Sequence, residues 1–184
     1  PSQAGEIAFS PALPGGRQAI IDGWPRGGSG VTMHLGYKTP FWREAGLSSL
    51  ILDVNPDTTY LFADLSPEDA SSGIIKFLGL GMSTSPDKVK ELAIGTLVKC
   101  LGPEAATPTE VVMQDWSQEQ YTRGCVSPLT PGFLSKLTTP LAEPCGALHW
   151  AGTETALIWW GYQDGAVRAG QRASVEALGA LVKL

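Results

Sequence analysis

Few side chains in this chain of 184 residues are of types that do chemistry by themselves. There are two histidines, His34 and His149, and three cysteines, Cys100, Cys125 and Cys145. An odd cysteine count without a CxxC spacing argues against both a disulfide framework and a zinc knuckle and leaves at least one thiol free. His34 falls in an alternating segment and His149 in an apolar one, so a packed core or edge imidazole is the plainer reading of each. Spacing supports neither a Cys125 and His149 nucleophile pair nor a metal site. Glycine-rich phosphate loops, a GxSxG elbow and an HExxH helix are missing. One segment stands out: Gly152-Thr153-Glu154-Thr155 leads through Gly161 into a helix with a Gly/Ala face. Such a turn gives close backbone approach and free N–H groups at a helix start, which hold an anion or a developing negative charge. The same glycines also suit packing alone, and residue types do not separate the two readings.

Strand-like runs crowd the first half, at 5–9, 30–37, 47–54, 58–63 and 73–80. Pro11 to Gly16, Gly27 to Gly30 and Asn55-Pro56-Asp57 punctuate them as turns, which predicts a meandering mixed sheet. Residues 85–101 switch to a helical period, with Ser85 as N-cap, Pro86 at the first position, Val89, Leu92, Ala93, Leu97 and Leu101 on one face, and Gly102 as the stop. A strand is expected at 109–115 and a proline-broken loop at 125–146. The chain ends in a buried strand at 147–152 and a helix at 161–182. That helix carries a small-residue stripe of Ala166, Gly170, Ala173, Ala177 and Leu181. The fold class is therefore α/β, in the looser α+β mixed sense.

Lys and Arg total 13 against 18 Asp and Glu, a net charge of -5, which disfavours nucleic acid and anionic membrane as partners. Hydrophobic residues make up 43% and charged residues only 17%, below the ~25% usual in soluble domains, so part of the surface is expected to be covered. No apolar run approaches the ~20 residues of a membrane span. A soluble protein, with the cytoplasm favoured, is the expectation. The chain opens at Pro1 without Met or a leader, which suggests a trimmed or cut longer polypeptide.

Three strings resemble a known signature. His149-Trp150-Ala151-Gly152-Thr153-Glu154-Thr155-Ala156, then Trp159-Trp160-Gly161-Tyr162-Gln163-Asp164-Gly165-Ala166-Val167, then Ala169-Gly170-Gln171-Arg172-Ala173, is similar to the C-terminal flavin-binding segment of the flavin-dependent monoamine oxidase family. Leu101-Gly102, Pro108, Val111, Trp116, Glu119-Gln120-Tyr121 and Gly124-Cys125 agree in order and spacing. Phe9-x-Pro11-x-Leu13-Pro14 and Tyr37-Lys38-x-Pro40-Phe41-Trp42 resemble substrate-domain elements.

The resemblance implies an FAD enzyme that oxidises a small amine to an imine by hydride transfer to flavin N5, with oxygen or another acceptor reoxidising the flavin. It places Gly152, Thr153 and Glu154 beside the ribityl and phosphate region, and Gly161, Tyr162 and Gln163 at a helix start facing the pyrimidine ring. Tyr162 would also be one wall of an aromatic cage. Trp116 would lie beside the isoalloxazine, and Cys125 is where some relatives carry a thioether to the flavin. Two positions depart from the pattern. Val126 replaces the second cage aromatic, leaving Trp159 or Trp160 as the other wall or a more open pocket. Thr32 replaces the lysine that faces N5 through a water, which puts the oxygen half-reaction in question. The implied layout is a substrate-domain part over 1–105 and the returning part of the FAD domain over 106–184. Both would depend on an N-terminal FAD-binding part elsewhere, in a homo-oligomer of the complete enzyme. Two other readings remain: an L-amino acid oxidase, with Arg43 or Arg123 for the carboxylate, and a non-catalytic FAD-binding scaffold.

Overall fold

The computed structural model of the chain describes residues 2–25, 28, 30–55, 58–82, 85–124 and 129–182. In chain order its helices and strands are α1 (Gly15–Gly23), β1 (Gly30–Tyr37), α2 (Phe41–Glu44), β2 (Ile51–Val54), β3 (Thr59–Asp64), β4 (Gly73–Leu80), α3 (Pro86–Leu101), β5 (Glu110–Asp115) and α4 (Gln163–Leu181). They divide into two compact units, one from 1–26 with 127–184 and one from 27–126. The 105/106 division expected from sequence runs through the second of these, because β5 returns to pair with β1.

In the 27–126 unit the five strands form one sheet in the order β2-β3-β4-β1-β5. Every pairing among the described strands is antiparallel, so the parallel component of the expected mixed sheet does not occur. Short connections such as β2 to β3 permit only that sense. Alternation sends Met33, Leu35 and Tyr37 of β1, Phe62 of β3, and Ile75 and Phe77 of β4 into one core. The helix α3 closes that core with Val89, Ala93, Leu97 and Leu101. Each large apolar side chain buried this way contributes about 1.5–3 kcal/mol. The helix begins after Ser85 with Pro86 in its first turn and ends at Gly102, whose φ of +102° suits only glycine and whose N–H reaches the Val98 carbonyl. Burial pushes the Tyr37 phenol up to about 12, and its hydroxyl donates to the Ala105 carbonyl at 3.1 Å.

One carboxylate fastens the turn after β1 to β3. Asp64 accepts from Trp42 Nε1 at 2.9 Å, Arg43 Nε at 2.7 Å and the Ser66 N–H at 2.7 Å. Burial by itself would raise this group, but the bonds from Arg43, Ser66 and Trp42 hold it well below the usual carboxylate range. Arg43 also donates to the carbonyls of Ser66 and Pro67, so this candidate carboxylate binder is committed to the fold.

The unit from 1–26 and 127–184 contains no strand among its described residues. The strand expected at 5–9 is instead a 3-10 turn, Ser2–Glu6. The buried strand expected at 147–152 is irregular, partly exposed chain with a single bridge between Cys145 and Leu148. A strand requires an edge to pair with, and no described segment of this unit supplies one. Conversely, Gly15 and Gly16, read as loop, open α1, which buries Arg17, Ile20 and Ile21. The α4 stripe is rotated by one residue from expectation: Gly165, Ala169 and Ala173 are buried, whereas Ala166, Gly170 and Ala177 are half-buried and Leu181 is 65% exposed.

Folding favours the ionised form of Asp64, so its contribution is complete above the ordinary aspartate value of about 3.9 and falls away as pH drops through the lower native value. Asp64→Asn is therefore expected to cost about 1–3 kcal/mol at neutral pH. Thermal melts of wild type and variant should lie several degrees apart at pH 7 and converge below about pH 4. Parallel curves down to the acid limit would show that Asp64 plays no such part.

Candidate functional site

The segment ahead of α4 is tied to itself by short polar bonds. Thr153 Oγ1 accepts the Gly161 N–H at 2.6 Å and donates to the Tyr162 carbonyl at 3.0 Å. Trp160 Nε1 donates to the Glu154 carbonyl at 3.0 Å, and Thr155 Oγ1 donates to the Gly152 carbonyl at 2.9 Å. The two halves of the sequence signature, 152–155 and 159–163, thus form one knot. Its glycines are required in place: Gly152 and Gly161 have φ of +103° and +86°, and a Cβ on Gly165 would collide with the Trp159 carbonyl. Trp159 itself sits at φ +57°, a costly conformation for a bulky residue that persists only when its surroundings impose it. It packs edge-on against Tyr162 with ring centroids 5.8 Å apart, and both rings are more than half exposed.

Behind the knot α4 runs for 19 residues, so its first-turn N–H groups carry the positive end of a full helix dipole. Ala166 is the first whose N–H returns to the turn, at the Tyr162 carbonyl. Two arginines do the fastening that a strand would otherwise do. Arg172 donates to the Trp150 carbonyl at 2.6 Å, Thr155 Oγ1 at 3.0 Å and Glu176 Oε1 at 2.7 Å. That bond, with His149 Nδ1 3.4 Å from the other oxygen, holds the Glu176 carboxyl below its usual range. Arg17, 4% exposed, donates to the carbonyls of Pro140, Leu141 and Glu143 and stacks 4.6 Å above the Trp150 ring. Sequence reasoning meets Arg172 only within the signature string, without a role for it, and passes over Arg17. A basic residue on the apolar stripe of α1 was the available signal for Arg17.

In the 27–126 unit the structure unites two residues named from sequence 84 positions apart. Trp116 Nε1 donates to Thr32 Oγ1 at 3.0 Å. The Trp116 backbone continues the β5 pairing, with its N–H on the Gly30 carbonyl and its carbonyl accepting the Gly124 N–H. Thr32 projects from the face of the sheet opposite the α3 core, because its neighbours Val31 and Met33 are buried. Cys125 and Val126 lie outside the described residues. His34 is on the same open face as Thr32. Among the described residues no cluster of three or more His, Cys, Asp or Glu could hold a metal ion, and no helix is long and apolar enough to cross a membrane.

A sequence model of the flavin containing amine oxidoreductases matches residues 1–178. The chain belongs to that family. It is 35% identical over 189 residues to flavin-containing amine oxidase B of Sus scrofa, covering 97% of this chain and 36% of the relative. With the Homo sapiens counterpart it shares 34% over 194 residues, 100% of this chain and 37% of that protein. Among solved structures, the cyclohexylamine oxidase of Brevibacterium oxydans superposes with a TM-score of 0.86 at 31% identity, covering 97% of this chain and 41% of that one. Putrescine oxidase bound to putrescine gives 0.85 at 25% identity, again over 41% of its chain. The chain thus spans about two fifths of the length of these relatives.

Within this family member, the Gly165 site offers a direct test of the knot. Alanine at an ordinary helical glycine gains about 0.5–1 kcal/mol. Here Gly165→Ala is expected to lose about 1–3 kcal/mol through the clash with the Trp159 carbonyl, while Gly179→Ala, where a Cβ meets open space, follows the ordinary rule. Paired denaturant titrations measure both.

Proposed function

We propose that the protein carrying this chain is an FAD-dependent amine oxidoreductase that converts a small amine to its imine. The observation that supports this reading most strongly is the knot of Thr153, Gly161 and Tyr162 at the start of α4. It takes up the Gly161 and Tyr162 N–H groups and leaves the first-turn N–H groups of α4, a left-handed Gly161 and two exposed aromatic rings on one short stretch. That donor set fits a flavin: first-turn N–H groups at a long helix suit the pyrimidine edge, which becomes electron-rich on reduction. Gly152, Thr153 and Glu154 would hold the ribityl and phosphate region, and Gly161, Tyr162 and Gln163 the ring system. Cys125 is the residue for a thioether, if the flavin is bonded. A bound flavin would supply the hydride acceptor, which is chemistry no side chain has.

The chain's own contribution is positioning. Tyr162, packed against Trp159, offers a rigid aromatic wall, with Trp160 beside it, along which an amine is oriented, and such orientation lowers the barrier without an obligatory protein acid or base. In the other unit Trp116 is the flat side chain proposed to lie against the flavin ring. Its bond to Thr32 fixes the indole and occupies the threonine hydroxyl. Thr32 carries no charge, so reoxidation by oxygen lacks a cation at this position, and another acceptor becomes a competitor. The apolar residues left exposed on the first unit, Leu157 at 97% and Val175 at 71% among them, suit coverage by an N-terminal FAD-binding segment of the kind the longer relatives have room for.

Anaerobic titration of the full-length, flavin-loaded protein tests this reading. Primary amines should bleach the flavin bands, and their matching α-amino acids should not. Bleaching by the amino acid in preference would favour an L-amino acid oxidase, and a bound flavin that no amine reduces would identify a scaffold. Tyr162→Ala should lower kcat/KM for the amine by about 10- to 100-fold with flavin content retained. Acid precipitation decides the attachment, since flavin that stays with the protein pellet is bonded. Stopped-flow reoxidation of wild type and Thr32→Lys, with oxygen against an artificial acceptor, reports the second half-reaction. The variant is expected to react faster with oxygen.

A further inference from the structure

Arg172 sits in the middle of α4, where its ion pair with Glu176 has the i,i+4 spacing of an ordinary surface bridge. Such bridges contribute little by themselves, yet this one is drawn into a longer path. Arg172 Nη1 donates to Glu176 Oε1 at 2.7 Å, which leaves Nη2 to donate to the Trp150 carbonyl at 2.6 Å and to Thr155 Oγ1 at 3.0 Å. Glu176 is braced in turn by His149 Nδ1, 3.4 Å from its other oxygen. All these groups lie in the one compact unit formed by 1–26 and 127–184.

The bond from Arg172 decides what the Thr155 hydroxyl does. A guanidinium only donates, so the hydroxyl accepts from it and turns its own proton elsewhere. That proton goes to the Gly152 carbonyl at 2.9 Å, and the Thr155 N–H reaches the same oxygen at 3.0 Å. Both lone pairs of the carbonyl are then engaged. The carbonyl and N–H of a trans peptide point in opposite directions, so the Thr153 N–H faces away from Thr155 and Arg172. It meets no acceptor among the described residues. The backbone alone does not guarantee this orientation. Gly152, at φ +103°, has the freedom to let the following peptide rotate, and the rotated peptide would present its carbonyl oxygen where the N–H now stands. Whether this surface offers a donor or an acceptor therefore rests on the Thr155 bonds and on the cation behind them.

We propose that Arg172 is a positioning residue for the flavin. Acting through Thr155, it holds the Gly152–Thr153 peptide in the orientation that offers the Thr153 N–H, rather than the Gly152 carbonyl, to the ribityl and phosphate region. The inference rests on the reading above, in which Gly152, Thr153 and Glu154 hold that part of the cofactor. A phosphate or a ribityl oxygen accepts from an N–H and is repelled by a carbonyl, so the path from Arg172 to Gly152 selects for the ligand without touching it. Glu176 and His149 complete the path by fixing the guanidinium from behind.

The test uses the full-length protein, freed of flavin and titrated with two probes, FAD and lumiflavin, which has the ring system but neither ribityl chain nor phosphate. Dissociation constants are measured by flavin fluorescence for wild type, Thr155→Val, Thr155→Ser, Arg172→Met and Arg172→Lys. In Thr155→Val and Arg172→Met the constant for FAD should rise by about ten-fold or more, the effect of one hydrogen bond to a charged group, while that for lumiflavin stays as in wild type. Thr155→Ser keeps the hydroxyl and should retain most of the FAD affinity. Arg172→Lys keeps the charge without the planar fork and should fall between wild type and Arg172→Met. A purely structural arginine would weaken both probes together. Equal losses for the two probes, or unchanged FAD affinity in Thr155→Val, overturn the proposal while leaving flavin binding intact, and the Thr155 pair decides the matter even if Arg172→Met does not fold. If wild type binds neither probe, the underlying reading fails and this one with it.

Discussion

The period-two alternation of β1 is the constraint from which the rest of the sheet unit follows. The strand is hydrogen-bonded on both sides, to β4 and β5, over nearly its whole length. Its odd-numbered residues Met33, Leu35 and Tyr37 enter the core, and its even-numbered residues Thr32 and His34 stand on the open face. Slipping either pairing by one residue would expose three large apolar side chains, bury two polar ones and separate Thr32 from Trp116. The same alternation that stabilises the fold therefore also determines which side chains a ligand on the open face would meet. The Asp64 bonds to Trp42, Arg43 and Ser66 secure the next segments of chain around the completed sheet.

The unit built from the two chain ends works on a different principle. Without a described strand ladder, its irregular segments are held by arginine fingers on backbone carbonyls, Arg17 to residues 140–143 and Arg172 to Trp150. A buried guanidinium is costly unless its donors are satisfied and its planar face is covered. Arg17 achieves this with three carbonyls and the Trp150 ring, although its Nε remains without a partner. That arrangement accounts for a proline-broken stretch staying ordered enough to define a surface.

How much could be read from residues alone varied with the physical origin of each feature. Strands β1, β3, β4 and β5 and the helix α3 were placed to within a residue or so, because burial on one face leaves a period in the sequence and Ser85, Pro86 and Gly102 mark the helix ends locally. The segment at 147–152 was misjudged for the converse reason. Apolar content says that a segment seeks cover but not whether a partner edge is within reach. Helix α1 was missed because glycines at 15 and 16 imitate a turn, while the pattern of Arg17, Ile20, Ile21 and Trp24 that stabilises it includes a charged residue satisfied only by a loop 120 and more positions away. The signature residues were readable as a string, but the path from Arg172 through Thr155 to the Gly152 carbonyl was not. It emerges only from the fold, since the turn ahead of α4 is needed to bring Arg172 and Thr155, 17 positions apart, into contact.

The two units also differ in how they present chemistry. Around α4 the groups aimed outward are backbone N–H donors, set by glycine conformations and threonine bridges, and substitution of side chains that make none of these bonds leaves backbone donors in place. On the open face of the sheet the groups are side chains on rigid strands, where a single replacement changes charge or volume and the ladder bonds remain intact. Backbone donors suit a partner that stays the same across a family, such as a cofactor. Side chains on a fixed grid suit a partner that differs from member to member.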